Sequence, residues 1–173
     1  AVFALVVVAL LNLSGGSTRT ALQIETLALA GIVAEKLEGL GYEVTTGVGR
    51  TGVVGIIRGN LPGNRTIGFR ADMDALPIVE ETGKAWASKT PGAMHACGHD
   101  GHTAMLLGAA KYLAETRNFD GRAVVIFQPA EEAGAGGQAM VQDGLVERWG
   151  IQEFYGMHNM PGLPAGQFAI REG

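Results

Sequence analysis

"RAVVIFQPAEE", residues 122–132, decides the fold. Ala123, Val124, Val125, Ile126 and Phe127 follow one another with no polar residue between them. The run does not alternate and is too short for a core helix, so it reads as a strand covered on both faces. A strand covered on both faces needs helical layers above and below its sheet, which is the α/β arrangement. Pro129 then ends the strand, and two carboxylates, Glu131 and Glu132, follow it.

Outward from this strand, helices and strands alternate. From Thr20 the residues Leu22, Ile24, Leu27, Leu29, Ile32, Val33 and Leu37 recur at three- and four-residue steps, which predicts a helix closed by Gly39 and Gly41. "YEVTTGV" (42–48) and "VVGIIRG" (53–59) are rich in β-branched residues and joined by "GRTG", which predicts a hairpin. "LPGN" (61–64) reads as a turn, "RTIGFRADMDALP" (65–77) as a third strand, and residues 80–92 as a loop. "TAMLLGAAKYLAE" (103–115) predicts a helix with Met105, Leu106, Ala109, Ala110 and Leu113 on its apolar face and Asp100 as its N-cap. A helix near 137–149, a strand at 153–159 and a last strand at 166–173 complete the pattern. The fold class is α/β, with a mixed sheet because of the hairpin.

Composition bounds the function. A 173-residue chain is long enough for one sizeable core, and a net charge of −4 with scattered lysines and arginines argues against a nucleic-acid surface. The apolar opening run "AVFALVVVALL" falls short of the roughly 18 residues that a membrane span needs. It has signal-peptide length without preceding basic residues, so secretion is the alternative to a cytoplasmic location. The single cysteine forms no internal disulfide, which removes the redox argument for secretion. Both ends look cut. Residues 1–19 read as an atypical apolar segment, and residues 20–173 as the folded part.

The reactive residues fall at strand ends. Asp72 and Asp74 end one strand, Glu131 and Glu132 follow another, and His158 closes a third. Open α/β sheets bind ligands outside the carboxyl ends of their strands. "MHACGHDGH" (94–102) adds Cys97, His99, His95, His102 and Asp100. Residues two apart in an extended segment point the same way, so Cys97 and His99 can ligate one metal. The alternatives are an inert buried cysteine, or a thiol nucleophile with a histidine base. In "FQPAEE" one carboxylate can bind metal while its neighbour accepts a proton, and a solvated acidic loop is the alternative. Asp72 and Asp74 either ligate, orient a ligand imidazole or make a turn before Pro77. His158 is a ligand or a satisfied core histidine.

Five stretches resemble one family, the metal-dependent amidohydrolases that include hippurate hydrolase, N-acyl-amino-acid amidohydrolases and auxin-conjugate hydrolases, related to aminoacylases and co-catalytic metal carboxypeptidases. They are "VAEKLEGLGYEVTTGVGRTGVVGIIRG", "FRADMDALPI", "ASKTPGAMHACGHDGHTAMLLGAAKYLA", "FQPAEE" and "GMHNMPGLPAGQFAIREG". The resemblance implies that Cys97, His99, Glu132 and His158 ligate metal and that Glu131 is the general base. It makes Asp74 a support behind the ligands, with Asp72, Asp100, His95 and His102 as further support or packing. It implies two divalent ions, zinc or manganese, with cobalt or nickel as alternatives. It also implies N-acyl amino acids or similar small amides as substrates and a homodimer in the full-length parent. Residues 20–173 would then be the N-terminal part of a two-metal catalytic domain whose lid domain, C-terminal half and last ligand histidine lie outside this chain. The rival expectation is a truncated, inactive chain that only binds metal or associates with a partner.

Overall fold

A computed structural model describes residues 18–132 and 134–170, with the side chains of 18–21 and 24 outside the described set. Residues 1–17, and with them nearly all of the expected atypical segment, lie outside the described residues.

Helix α1 (Thr18–Gly39) buries Ala30, Val33, Ala34 and Leu37, the i, i+3, i+4, i+7 stripe of an amphipathic helix. Gly41, at φ +79°, lets the chain turn out of it. Strands β1 (Glu43–Val48) and β2 (Gly52–Arg58) form the expected antiparallel hairpin. Strand β3 (Leu61–Asp72) starts earlier than expected. "LPGN" is not a turn: Leu61 already faces Asp120, and the register slips before Thr66 meets Arg122. The turn chemistry of these residues is spent on a bulged strand start.

Helix α2 (His99–Thr116) begins four residues before the apolar pattern. Gly98, in the left-handed region at φ +87°, occupies the N-cap, and Asp100 lies inside the first turn accepting from the Gly101 N–H. The buried face is His99, His102, Thr103, Leu106 and Ala110, while Met105 and Ala109 are exposed. The expected apolar face was rotated because the polar residues of the first turn were not counted as buried.

Strand β4 (Asp120–Gln128) is buried over its last six residues. The predicted helix near 137–149 is two, α3 (Gly136–Gln142) and α4 (Leu145–Trp149), split at Gly144 with φ +83°. Strand β5 (Glu153–Gly156) is short, and residues 167–170 form no strand.

The sheet order is β1-β2-β4-β3-β5. Strand β4 is antiparallel to β2, and β3 runs parallel to both β4 and β5. Alternate residues of β4 face two cores. Ala123, Val125 and Phe127 pack with α1 and α2, whereas Val124 and Ile126 pack with Met140, Leu145 and Trp149 of α3 and α4. The β3–β4 connection therefore crosses one face and the β4–β5 connection the other. Chains that leave neighbouring strand ends toward opposite faces open a crevice between them, here at the carboxyl ends of β3 and β4. No described helix is long and apolar enough to cross a membrane.

Candidate metal centre

The crevice collects the predicted residues. Because β3, β4 and β5 are parallel, their carboxyl ends share one edge of the sheet. Asp72 ends β3 and Asp74 follows it. Glu131 and Glu132 follow β4, and His158 follows β5. Cys97 and His99 arrive from the turn into α2.

His99 is fully buried. Its Nδ1–H donates to the Asp74 carbonyl at 2.9 Å, with Asp74 Oδ1 at 3.2 Å. That fixes the tautomer and leaves a lone pair on Nε2. Nε2 has no hydrogen-bond partner among the described residues; Asp72 Oδ2 stands 3.7 Å away and Glu132 Oε1 3.8 Å away. A buried, unpaired acceptor is costly unless something binds it. Asp74 also uses Oδ2 to accept the Glu132 N–H at 3.0 Å, so one carboxylate orients two neighbours.

Cys97 Sγ lies 3.4 Å from His158 Nε2, and His158 Nδ1–H donates to the Asn159 carbonyl at 2.7 Å. His158 thus also presents Nε2 inward. Burial pushes the Cys97 thiol up to about 11, helped by a hydrogen bond with Glu132 and by the charges of Glu132, Glu131 and Asp72. A thiol crowded by carboxylates becomes a thiolate only if a cation joins it. Cys97, His99 and Glu132 can each offer a ligand atom within 4.8 Å of the others, and so can Asp72, His99, His102 and His158. The donor set of thiol, imidazole and carboxylate, with one orphaned imidazole nitrogen, fits a borderline divalent metal.

His102 does not offer a free nitrogen. Its Nδ1 is 2.6 Å from Asp72 Oδ1, and its Nε2 is engaged by Asn159. Asp72 is further held by the Arg70 guanidinium at 2.7 Å, and its carbonyl accepts the Thr103 hydroxyl at 3.0 Å. Burial alone would raise the Asp72 pKa. The His102 hydrogen bond, the Arg70 charge and the two imidazoles outweigh it and hold the carboxyl below its usual range.

Two predicted residues sit elsewhere. His95 faces Glu25 of α1, Nε2 to Oε1 3.9 Å, and burial raises the Glu25 pKa against the opposing pull of His95. Asp100 is exposed in the first turn of α2. Glu131 is exposed and takes part in no hydrogen bond or ion pair among the described residues. Sequence reasoning missed Asn159, Arg70 and Gln128, the last of which accepts from Arg70 Nε at 2.9 Å. Arg70 carried a signal, since Arg-x-Asp puts both side chains on one face of a strand.

Several known proteins are similar to this chain over most of its length. The chain is 48% identical over 153 residues to hippurate hydrolase of Campylobacter jejuni, covering 88% of this chain and 39% of that one. It is 51% identical over 110 residues to N-acetyldiaminopimelate deacetylase of Leuconostoc citreum, covering 63% of this chain and 28% of that one. The chain therefore spans well under half the length of these relatives. The crystal structure of the YXEP protein of Bacillus subtilis, a dinuclear metal-binding peptidase from the M20 family, matches with a TM-score of 0.78 at 40% identity over 85% of this chain and 41% of that one. A sequence profile of Peptidase family M20/M25/M40 matches residues 68–173. The chain belongs to peptidase family M20/M25/M40.

Proposed function

We propose that this chain supplies the metal-binding and proton-transfer residues of an amidohydrolase acting on N-acyl amino acids or similar small amides. Residues 20–173 are then the N-terminal part of its catalytic domain. The observation that carries the reading is the buried, unpaired Nε2 of His99, set among Cys97, Glu132 and His158 at the sheet's switch point. Cys97, His99, Glu132 and His158 hold two divalent ions between them, zinc or manganese as the family resemblance implies, with cobalt or nickel as alternatives. When bound, such ions supply a water of lowered pKa and polarise the amide carbonyl.

The chain's own residues do the rest. Asp74 fixes the His99 ring and the Glu132 backbone so that both donors face the crevice. Glu131, exposed and uncommitted, takes a proton from the attacking water as the new C–O bond forms. It returns that proton to the amine nitrogen as the C–N bond breaks. Asp72 and His102 hold the two strand ends around this point.

The test is Glu131→Gln in the metal-loaded protein, assayed on hippurate and other N-acyl amino acids. Metal content should be unchanged and turnover should fall by about 10²–10⁴, the usual worth of a positioned base. Retained turnover would remove Glu131 from that role, and loss of metal would make it a ligand instead.

A further inference from the structure

His158 stands apart from the other donors. Cys97, His99 and Glu132 are set by a helix start and by strand β4, whereas His158 sits in an exposed segment after a four-residue strand. Something must hold its imidazole at the site.

A continuous chain of contacts does so. Gln128 Oε1 accepts from Arg70 Nε at 2.9 Å, and Arg70 holds Asp72 Oδ2 at 2.7 Å. Asp72 Oδ1 accepts from His102 Nδ1 at 2.6 Å. On the other side of the ring, the Asn159 N–H donates to His102 Nε2 at 3.1 Å, and the Asn159 side-chain amide closes on the same nitrogen at 2.6 Å. A backbone N–H donating to Nε2 requires a lone pair there, so the NH2 end of the Asn159 amide is the one compatible with this tautomer. The Asn159 carbonyl then accepts from His158 Nδ1 at 2.7 Å. The backbone of one residue, Asn159, thus grips a buried imidazole with its N–H and orients an exposed one with its C=O.

The turn before α2 is shaped for this residue. A Cβ on Gly98 would come within 2.7 Å of the terminal amide atom of Asn159 that faces His102. The Asn159 side chain therefore occupies space that only glycine leaves open.

We infer that Asn159, docked on His102 and Gly98, is a positioning residue that locks His158 into the metal centre, with Asp72 and Arg70 anchoring His102. The inference rests on the proposal that His158 is a metal donor. It assigns to His102 a mechanical task that spans the two halves of the site, in place of ligation.

The test is a double-mutant cycle on zinc affinity in the full chain, read with zinc alone against a competing chelator. Asn159→Ala removes an exposed side chain and should weaken zinc binding roughly tenfold, the low end for residues that orient ligands. In a His158→Ala background the same change should cost nothing further, because no donor remains to be positioned. Alanine keeps the N–H and C=O of residue 159 but loses the side-chain clamp that fixes where they lie, so ring-nitrogen NMR of the metal-free protein should show a weakened tautomer preference at His158. His102→Gln, which keeps an amide donor for Asp72, should fall between the parent and Asn159→Ala. Equal losses from Asn159→Ala in both backgrounds would overturn the lock, as would unchanged affinity and tautomer. A parent chain whose zinc affinity is untouched by His158→Ala would instead sink the donor assignment itself, and the lock with it.

Discussion

Asp74 offers the sharpest perturbation of the site, because one small carboxylate orients two of the proposed donors. In Asp74→Ala the His99 Nδ1–H keeps its stronger partner, the Asp74 backbone carbonyl at 2.9 Å, and loses only Oδ1 at 3.2 Å. The Glu132 N–H loses its acceptor outright. A hydrogen bond to a charged group is worth about 1.5–3 kcal/mol, and one such bond is lost in full. Removing one of several crowded carboxylates gives part of this back, so the metal-free protein should lose about 1–2 kcal/mol by denaturant titration. Zinc affinity should fall further, by about 10–100-fold, since the Glu132 backbone is released from its aim and the His99 ring is left with one anchor in place of two. That is about 1.4–2.7 kcal/mol of binding free energy. The assay is chelator competition on the folded variant, with the denaturant curve as control for global damage. A variant that loses stability but binds zinc as tightly as its parent would show that Asp74 supports the fold and not the donors.

Two other outcomes concern Tyr42 in the core and Cys97 at the site. Burial pushes the Tyr42 hydroxyl up to about 12, against the opposing charge of Arg117, and the hydroxyl donates to the Ala110 carbonyl at 2.9 Å. The unfolded chain releases this proton near pH 10 while the folded one keeps it, so the unfolded state binds fewer protons and stability falls between about pH 10 and pH 12. Tyr42→Phe should flatten that part of the alkaline stability profile, and an unchanged slope would refute it. Metal-free Cys97, with its thiol near 11, should react slowly with iodoacetamide at neutral pH, and Glu132→Gln should quicken it by removing a charge that helps hold the thiol protonated. A rate equal to that of a free thiol, or one indifferent to Glu132, would contradict the crowding described here.

The strand that opens the sequence reading carried the architecture. Five apolar residues in a row required cover on both faces, and the two cores on either side of β4 supply it. The convergence of Asp72, Asp74, Glu131, Glu132 and His158 on one edge was also legible, because strand ends are visible in apolar runs. Burial of polar residues was not. His99, His102 and Thr103 are buried by contacts with Asp72 and Asp74, which lie far away in sequence, so the apolar face of α2 alone gave the wrong rotation. The "LPGN" segment failed for a related reason: its pairing with the segment around Asp120 is a tertiary fact that local turn chemistry does not contain. Asn159 was invisible because its role depends on a glycine 61 places earlier leaving room for it, which only coordinates reveal.

The central claim is that four donors from three segments form one metal centre around His99 Nε2. Titration of the metal-free protein with cadmium, followed by the ultraviolet thiolate-to-metal charge-transfer band, tests it most directly. The account predicts a saturable band that vanishes in Cys97→Ser and weakens in His99→Ala, Glu132→Gln and His158→Ala. A band that survives the loss of His99 and Glu132, or no band in the parent, would contradict it.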